Sequence, residues 1–416
     1  MKVVILGGGP AGCAAAYCLK REGVSDITIV EESPRLGGMG HTRYYDNIPY
    51  EYGPQILYTE DPKLQEVFEE FLTLHRPPSE DGRYRPLVST DGRALGPGVH
   101  NFPITFENVL QLPNPHLVIE ELYRVNLAEP DYSSFESYAI SRLGRTIYET
   151  YVKNYNIKQW LMHPSEMDAE WAKFRPLTLR NRATGMFKSD FQGHPGDYNP
   201  LWHGMTEGLR VVQGRASVSD DFDRVEIDGD QVNADLVIST LPLSSELDFV
   251  NTCLVYVALE SDTPVMGSYA TSFPNNRGFV RVMEYRQQFS VQSQYTLLDF
   301  QFPWKGVCEQ DEYREAALGF VREELGQYRV RDVWCDTRMN VYPVSTSRNL
   351  SLVGEQLRRA ATSKVVPLGR MGVHAYVSKD TCIRMAMQMA EGLEHLDGRD
   401  PERKTAILSR MRERLT

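Results

Sequence analysis

The chain reads as an α/β protein: a parallel-sheet domain assembled from separated segments, with a helical insertion and an antiparallel β-sheet set into it. Three observations predict this. Val3–Leu6 is a continuous apolar run that passes through a glycine-rich turn into a helix-like stretch, Ala11–Glu22, and then a second apolar run, Ile27–Val30. That order opens a strand–helix–strand unit with parallel strands. Two more runs of parallel-strand character, within Ala234–Pro242 and Lys364–Arg370, lie far along the chain. From about residue 246 to 302 the pattern instead alternates between apolar and polar, as antiparallel strands do.

Gly7, Gly9 and Gly12 take the spacing G-x-G-x-x-G between the first strand and the first helix. The first glycine permits a tight turn, the second lets backbone approach a pyrophosphate, and the third packs helix on strand. Pro10 and Ala11 open the helix, whose free N–H groups and positive dipole end favour a bound anion. Glu31 follows Gly12 by nineteen residues, with Glu32 beside it, and is placed to accept hydrogen bonds from an adenosine ribose. Strand, glycines, helix, strand and acid in register form a Rossmann-like dinucleotide site.

Tyr50–Thr59 is a glycine-centred loop, and Pro62–His75 an amphipathic helix with proline in its first turn. Residues 77–103 are rich in proline, glycine and charge. Helical periodicity returns in Phe106–Arg124, in one long stretch at Ser134–Trp160, in Asp311–Leu325 and in Asp380–His395. The basic Arg399–Arg414 tail is expected to be a solvated helix or a frayed end. The chain then divides into a discontinuous cofactor domain (1–80, 205–246 and 346–416), a helical insertion (105–155) and an antiparallel-sheet substrate domain (81–104, 156–204 and 247–345).

With 416 residues, 41% of them hydrophobic and 24% charged, the chain suits a globular protein of two or three units. A net charge of −11 argues against nucleic acid or an anionic membrane as partner, while allowing a local basic pocket. Met1-Lys2 leads directly into the cofactor strand, so no signal peptide is expected, and no apolar run approaches a membrane span. The six cysteines (Cys13, Cys18, Cys253, Cys308, Cys335 and Cys382) are scattered without C-x-x-C spacing. Cys13 and Cys18 are expected as core residues, no metal site is expected, and a reducing cytoplasm is the expected location.

Arg35-Leu36-Gly37-Gly38 resembles the V-x-E-x(3)-R-x-G-G continuation of amine-oxidase-like flavoproteins, which implies tightly bound FAD rather than NAD. Five further segments together resemble the UDP-galactopyranose mutase family. They are Tyr52-Gly-Pro-Gln-Ile-Leu-Tyr-Thr, Asn101-Phe-Pro-Ile, Leu143 to Trp160 with Pro164-Ser-Glu-Met-Asp-Ala, Phe191-Gln-Gly-His-Pro-Gly-Asp-Tyr-Asn-Pro-Leu-Trp, and Tyr342-Pro-Val with Gly369-Arg-Met-Gly, Tyr376 and Asp380. The third is the most specific, because Tyr155 and Trp160 at that separation are not explained by amphipathicity alone.

The resemblance implies an FAD-dependent mutase that interconverts pyranose and furanose forms of a nucleotide-diphosphate sugar, with reduced flavin N5 as nucleophile at the anomeric carbon. It implies FAD held by Gly7, Gly9, Pro10, Ala11, Gly12, Glu31, Glu32, Arg35, Gly37, Gly38, Gly53, Pro54, Gln55, Gly369, Arg370 and Tyr376. Tyr155 and Trp160 become the shelf for the nucleobase, with Tyr151 beside them. Arg175, Tyr342 and Tyr376 become the catalytic set, Arg175 and Tyr342 also touching substrate. An external reductant such as NAD(P)H or a reductase is implied, and a homodimer is compatible with the pattern.

The departures are substantial. Gln55 and Tyr58 replace two histidines, at least one of which lies against the flavin in the family. The closing motif here carries His374, Ala375, Tyr376, Ser378 and Asp380, and loses one tyrosine, one arginine and one aspartate. Leu298-Asp-Phe-Gln-Phe lacks the family's second pyrophosphate arginine, a place that Arg180, Arg182, Arg281 or His374 would have to fill. The flap tyrosine is replaced near Met186, and Asp311–Met339 looks more like broader amine-oxidase-like proteins. The alternative function is therefore an FAD-dependent oxidoreductase or desaturase on a natural-product or carbohydrate intermediate; a third reading is a flavin-binding scaffold.

Overall fold

The protein is described from a computed structural model that covers residues 1–169, 177, 179, 180, 185–187 and 189–413. Its first layer is a five-stranded sheet, parallel throughout, in the order Val365–Pro367, Leu236–Ser239, Lys2–Leu6, Asp26–Glu31, Arg210–Gln213. The glycine-loop strand is thus central, and its buried Val3–Leu6 run reflects helices packed on the sheet. The first helix, Pro10–Arg21, buries Ala11 to Leu19, and its small side chains let it pack closely on Lys379–Glu391.

The second layer is a seven-stranded sheet in the order Val330–Pro343, Phe249–Glu260, Tyr295–Trp304, Arg281–Glu284, Ala270–Ser272, Leu87–Ser89, Val99–Asn101. Its pairs are antiparallel except Ala270–Ser272 with Leu87–Ser89, so the sheet is mixed. The alternation in Phe249–Glu260 does not mark a wet face. Cys253, Val255, Val257 and Leu259 enter one apolar cluster, and Leu254, Tyr256 and Ala258 enter another.

The helical insertion differs from the expected pair of helices. Pro113 and Pro115 divide the first into Phe106–Leu110 and Pro115–Asn126. The second breaks at Gly144, whose φ of 78° leaves the helical region, and resumes as Arg145–Ile147. A π-helical turn at Tyr148–Lys153 follows, then Asn154–Trp160. A π turn inserts an extra residue per turn and re-aims the side chains after it, here Tyr155 and Trp160.

Two assignments shift. Asn199–Met205 is a helix whose Leu201, Trp202 and Met205 join the parallel-sheet core, although 156–204 was assigned to the other sheet. The basic tail is not merely solvated: Pro401–Glu413 is a helix, and Lys404, Leu408 and Met411 are buried on one face of it. Among the described residues no helix is long and apolar enough to cross a membrane.

Candidate cofactor and substrate site

The glycine loop is built as a cradle. Gly7, at φ 98°, donates its N–H to the Val30 carbonyl at 2.8 Å, tying the turn to the second strand. A Cβ on Gly12 would stand 1.9 Å from the Gly7 carbonyl oxygen, so helix and strand could not close. A Cβ on Gly9 would meet nothing within 4 Å, and no side chain caps the helix there. That open ledge at a helix N-terminus suits a pyrophosphate. Gly37 donates to the Gly8 carbonyl at 2.8 Å, and Gly38 lies against Gly9. From the other end of the chain Gly369 packs on Ala11, where a Cβ would come within 2.5 Å.

The Glu31 carboxylate accepts from the Gly8 N–H at 2.7 Å and the Ser33 N–H at 2.9 Å, at the mouth of the loop. Glu32 does not join it: it is exposed and pairs with Arg215 at 3.9 Å. Its place one residue past the strand end turns it outward. Arg35 is likewise on the exposed side of the loop. Pro10 opens the first turn of the helix, and Cys13 is buried with its thiol donating to the Gly8 carbonyl.

Gly53 turns at φ 84° and faces the Gln301 side chain, with Pro54 beside it. Tyr52 before it is held between two guanidinium groups, Arg43 and Arg338, each 4.0 Å from its ring centre. Gln55 accepts from Lys379 Nζ on its carbonyl at 3.0 Å and on Oε1 at 2.7 Å. Burial lowers the Lys379 ammonium to about 7 against the pull of Glu51. Glu51 is itself buried; burial opposes its charge, but His194, 3.2 Å away, holds its carboxyl below its ordinary value. Of the two replaced histidine positions, Gln55 therefore gains a cation, whereas Tyr58 stacks on Phe187 at 4.1 Å.

Beyond this loop the tyrosines converge. Tyr342 and Tyr376 are stacked, 5.9 Å apart and 15° from parallel. Trp160 meets both edge-on, at 5.9 and 6.3 Å. Arg370 lies 4.7 Å over the Tyr376 ring and donates to the Val377 and Val341 carbonyls. Burial raises the Tyr342 hydroxyl to about 12, so it stays protonated. Arg281 points into the same group: burial opposes its charge, but Tyr155, Tyr342, Tyr376 and Asp299 more than offset this, and it stays a cation.

Of the candidates to replace the cation that the Leu298-Asp-Phe-Gln-Phe strand lacks, Arg281 lies on the neighbouring strand, opposite Gln301. The other two described candidates are otherwise engaged. Arg180 donates to the Gly185 and Met186 carbonyls. His374 is buried against Phe249, lowered by burial to about 4 and therefore neutral. Arg175 and Arg182 lie outside the described residues.

Two of the three aromatic residues expected around the nucleobase are buried. Tyr151 is buried in the helical cluster that also holds Trp160, with its hydroxyl on His100 Nδ1. Trp160 is only 1% exposed and is a wall behind Tyr342 and Tyr376, whereas Tyr155 keeps a partly open surface. Lys158 escaped notice in the motif: it donates to the Phe273, Arg277 and Phe279 carbonyls and pins the Trp160 helix to the sheet. Its signal was available: a charged residue inside an otherwise apolar element needs a buried partner.

The model of the UDP-galactopyranose mutase family matches residues 150–376, and a model of NAD(P)-binding Rossmann-like domains matches residues 5–71. A probable UDP-galactopyranose mutase of Klebsiella pneumoniae is 22% identical over 401 residues, 94% of each chain. The dTDP-fucopyranose mutase of Escherichia coli is 23% identical over 421 residues, 94% of this chain and 97% of that one. Among solved structures, reduced UDP-galactopyranose mutase has a TM-score of 0.82 at 16% identity, covering 97% of this chain and 98% of that one. A putrescine oxidase has a TM-score of 0.60 at 16% identity, covering 94% and 98%. At such identities the structural likeness concerns the fold.

Proposed function

Because the chain belongs to the UDP-galactopyranose mutase family, we propose that it isomerises a nucleotide-diphosphate sugar between pyranose and furanose forms, with reduced FAD as its resident group. Bound in the glycine cradle, the reduced flavin would supply a nucleophilic nitrogen, N5, for the anomeric carbon. An external reductant, NAD(P)H or a reductase, keeps it reduced.

The observation that carries the proposal is the convergence of Arg281 with Tyr155, Tyr342 and Tyr376 in front of Trp160. Arg281 binds the diphosphate and offsets the charge that grows on it as the glycosidic bond breaks. Tyr342, protonated at neutral pH, donates to a phosphate oxygen. Tyr376, fixed by Arg370, shares that task, and the open ring of Tyr155 stacks on the nucleobase. Arg175 is assigned as a second diphosphate cation. Family membership and this polar set together support a transferred nucleotide sugar over an amine.

The test is anaerobic. The flavoprotein is reduced and offered a panel of nucleotide sugars, UDP-galactopyranose and dTDP-fucopyranose among them, with products separated by chromatography. The expected result is an isomer formed only by reduced protein, with no reductant consumed per turnover. Hydrogen peroxide released on turnover of an amine would instead establish the oxidoreductase reading.

A further inference from the structure

Apart from the cofactor cradle and the tyrosine group, three cysteines distant in sequence meet at one face of the large sheet. Cys253 lies in Phe249–Glu260, Cys335 in the edge strand Val330–Pro343, and Cys308 just before the helix Gln310–Glu324. The antiparallel register sets Cys253 opposite Thr337 and Val255 opposite Cys335, so both thiols project from the same face as diagonal neighbours. Cys253 is buried in the cluster that includes Val255, Phe300 and Phe302, and Cys308 and Cys335 pack on that cluster from its half-exposed margin. Arg314 Nη2 stands 3.8 Å from Cys335 Sγ. Among the described residues no group of three His, Cys, Asp or Glu is arranged to hold a metal ion.

The three thiols are not equivalent. A hydrogen bond from Cys253 and the Arg314 guanidinium lower Cys335 to about 7, against burial and Asp311. The Cys335 hydrogen bond and burial raise Cys253, and burial raises Cys308, which Glu309 also faces. One half-exposed thiolate beside a cation, with a buried thiol in contact, is the arrangement of an attacking and a resolving cysteine.

We infer that Cys335 and Cys253 form a redox-responsive pair, oxidised to a disulfide by small disulfides such as glutathione disulfide. The Cys335 thiolate attacks one glutathione sulfur, the S–S bond of the oxidant breaks, and one glutathione leaves as its thiolate. The Cys253 thiol displaces the second glutathione from Cys335, and its proton passes to the departing glutathione thiolate. Two protein thiols are oxidised to one disulfide, and one glutathione disulfide is reduced to two thiols. The bond staples the edge strand that carries Tyr342 to its neighbour.

The test uses the FAD-loaded full chain, incubated with glutathione disulfide, alkylated, digested and mapped by mass spectrometry. The expected product is a linked Cys253–Cys335 peptide pair, reversed by dithiothreitol. Cys253→Ser should instead retain glutathione on Cys335, and Cys335→Ser, at the half-exposed edge, should take up neither. In the untreated protein at pH 7, iodoacetamide should alkylate Cys335 about tenfold faster than Cys308. A stable glutathione adduct on the parent, a link through Cys308, or equal alkylation of Cys308 and Cys335 would overturn the assignment.

Discussion

Arg281 and Gln301 face each other across adjacent antiparallel strands, and the guanidinium donates twice to the Gln301 side-chain oxygen Oε1, at 3.1 and 2.7 Å. Gln301 passes the contact on, donating through Nε2 to Asp299 at 3.1 Å. This row of side chains fixes Arg281 in direction, and in the proposed function its charge is answered by the diphosphate. Replacement by methionine keeps the volume and removes the charge. Charge-assisted hydrogen bonds contribute about 1.5–3 kcal/mol, so Arg281→Met should weaken binding of a nucleoside diphosphate by about 10- to 100-fold in calorimetric titration, with FAD content unchanged.

Gly9 and Gly12 make opposite demands. Gly12→Ala drives a methyl into the Gly7 carbonyl and should yield protein with a lowered Tm and no FAD. Gly9→Ala meets only open space in the bare fold. It should leave the Tm of the apoprotein within a degree or two while FAD retention falls, as expected of a ledge that receives the phosphates. Absorbance at the flavin band and thermal melts of both variants separate the two outcomes.

Trp160 and Tyr155 divide packing from recognition. Truncating a buried tryptophan costs about 3–5 kcal/mol, so Trp160→Ala should lower the Tm clearly and loosen Tyr342 and Tyr376 with it. Tyr155→Ala should leave the Tm nearly unchanged but weaken nucleotide binding about tenfold, the scale of one lost stacking contact. A Tm loss for Tyr155→Ala as large as that for Trp160→Ala would overturn the division.

Burial pushes the Asp299 carboxyl up to about 7 from its ordinary 3.8, against the help of Gln301 and Arg281. A folded-state acid with a raised pKa holds its proton where the unfolded chain has released it. Stability contributed by the neutral form is therefore lost as pH rises from about 4 to 7, and the deficit is complete above that. Asp299→Asn keeps the shape without the titration, and its amide would occupy the position of Oδ1, which has no partner. Melts from pH 4 to 8 should show the variant gaining on the parent through that window and then running parallel.

Lys158 binds three backbone carbonyls of the 273–279 turn from a helix that ends at Trp160. Lys158→Met leaves those acceptors without their donor, at a cost of about 2 kcal/mol or more. Denaturant melts should register that loss, and nucleotide affinity should fall with it.

The glycine loop, its acid and the Arg35–Gly38 continuation are local, so consecutive residues announce them, and the structure closes them as one cradle. Tyr342, Tyr376 and Trp160 were legible through motif spacing, and they do meet. What the sequence left open depends on register. Arg281 reaches the tyrosines only because Arg281–Glu284 pairs with Tyr295–Trp304, and no one-dimensional pattern states which strands will pair. Cys253 and Cys335 come together for the same reason. Tyr151 and Trp160 share a helix pattern with Tyr155, but the π turn between 148 and 153 changes which of them faces outward. Gly144 was readable as a helix breaker, yet the strong apolar spacing around it masked the interruption.

The parallel sheet takes its strands from the first thirty-one residues, from 210–213 and 236–239, and from 365–367, before Gly369 closes on Ala11. In time, this means that a growing chain holds the glycine loop long before it holds the loop's neighbours. Bringing such distant segments together is slow. A cradle that includes Gly369 can close only after the elements near residue 370 have left the ribosome. A ligand that binds only the closed cradle would then withdraw finished molecules from the pool that proteases can reach.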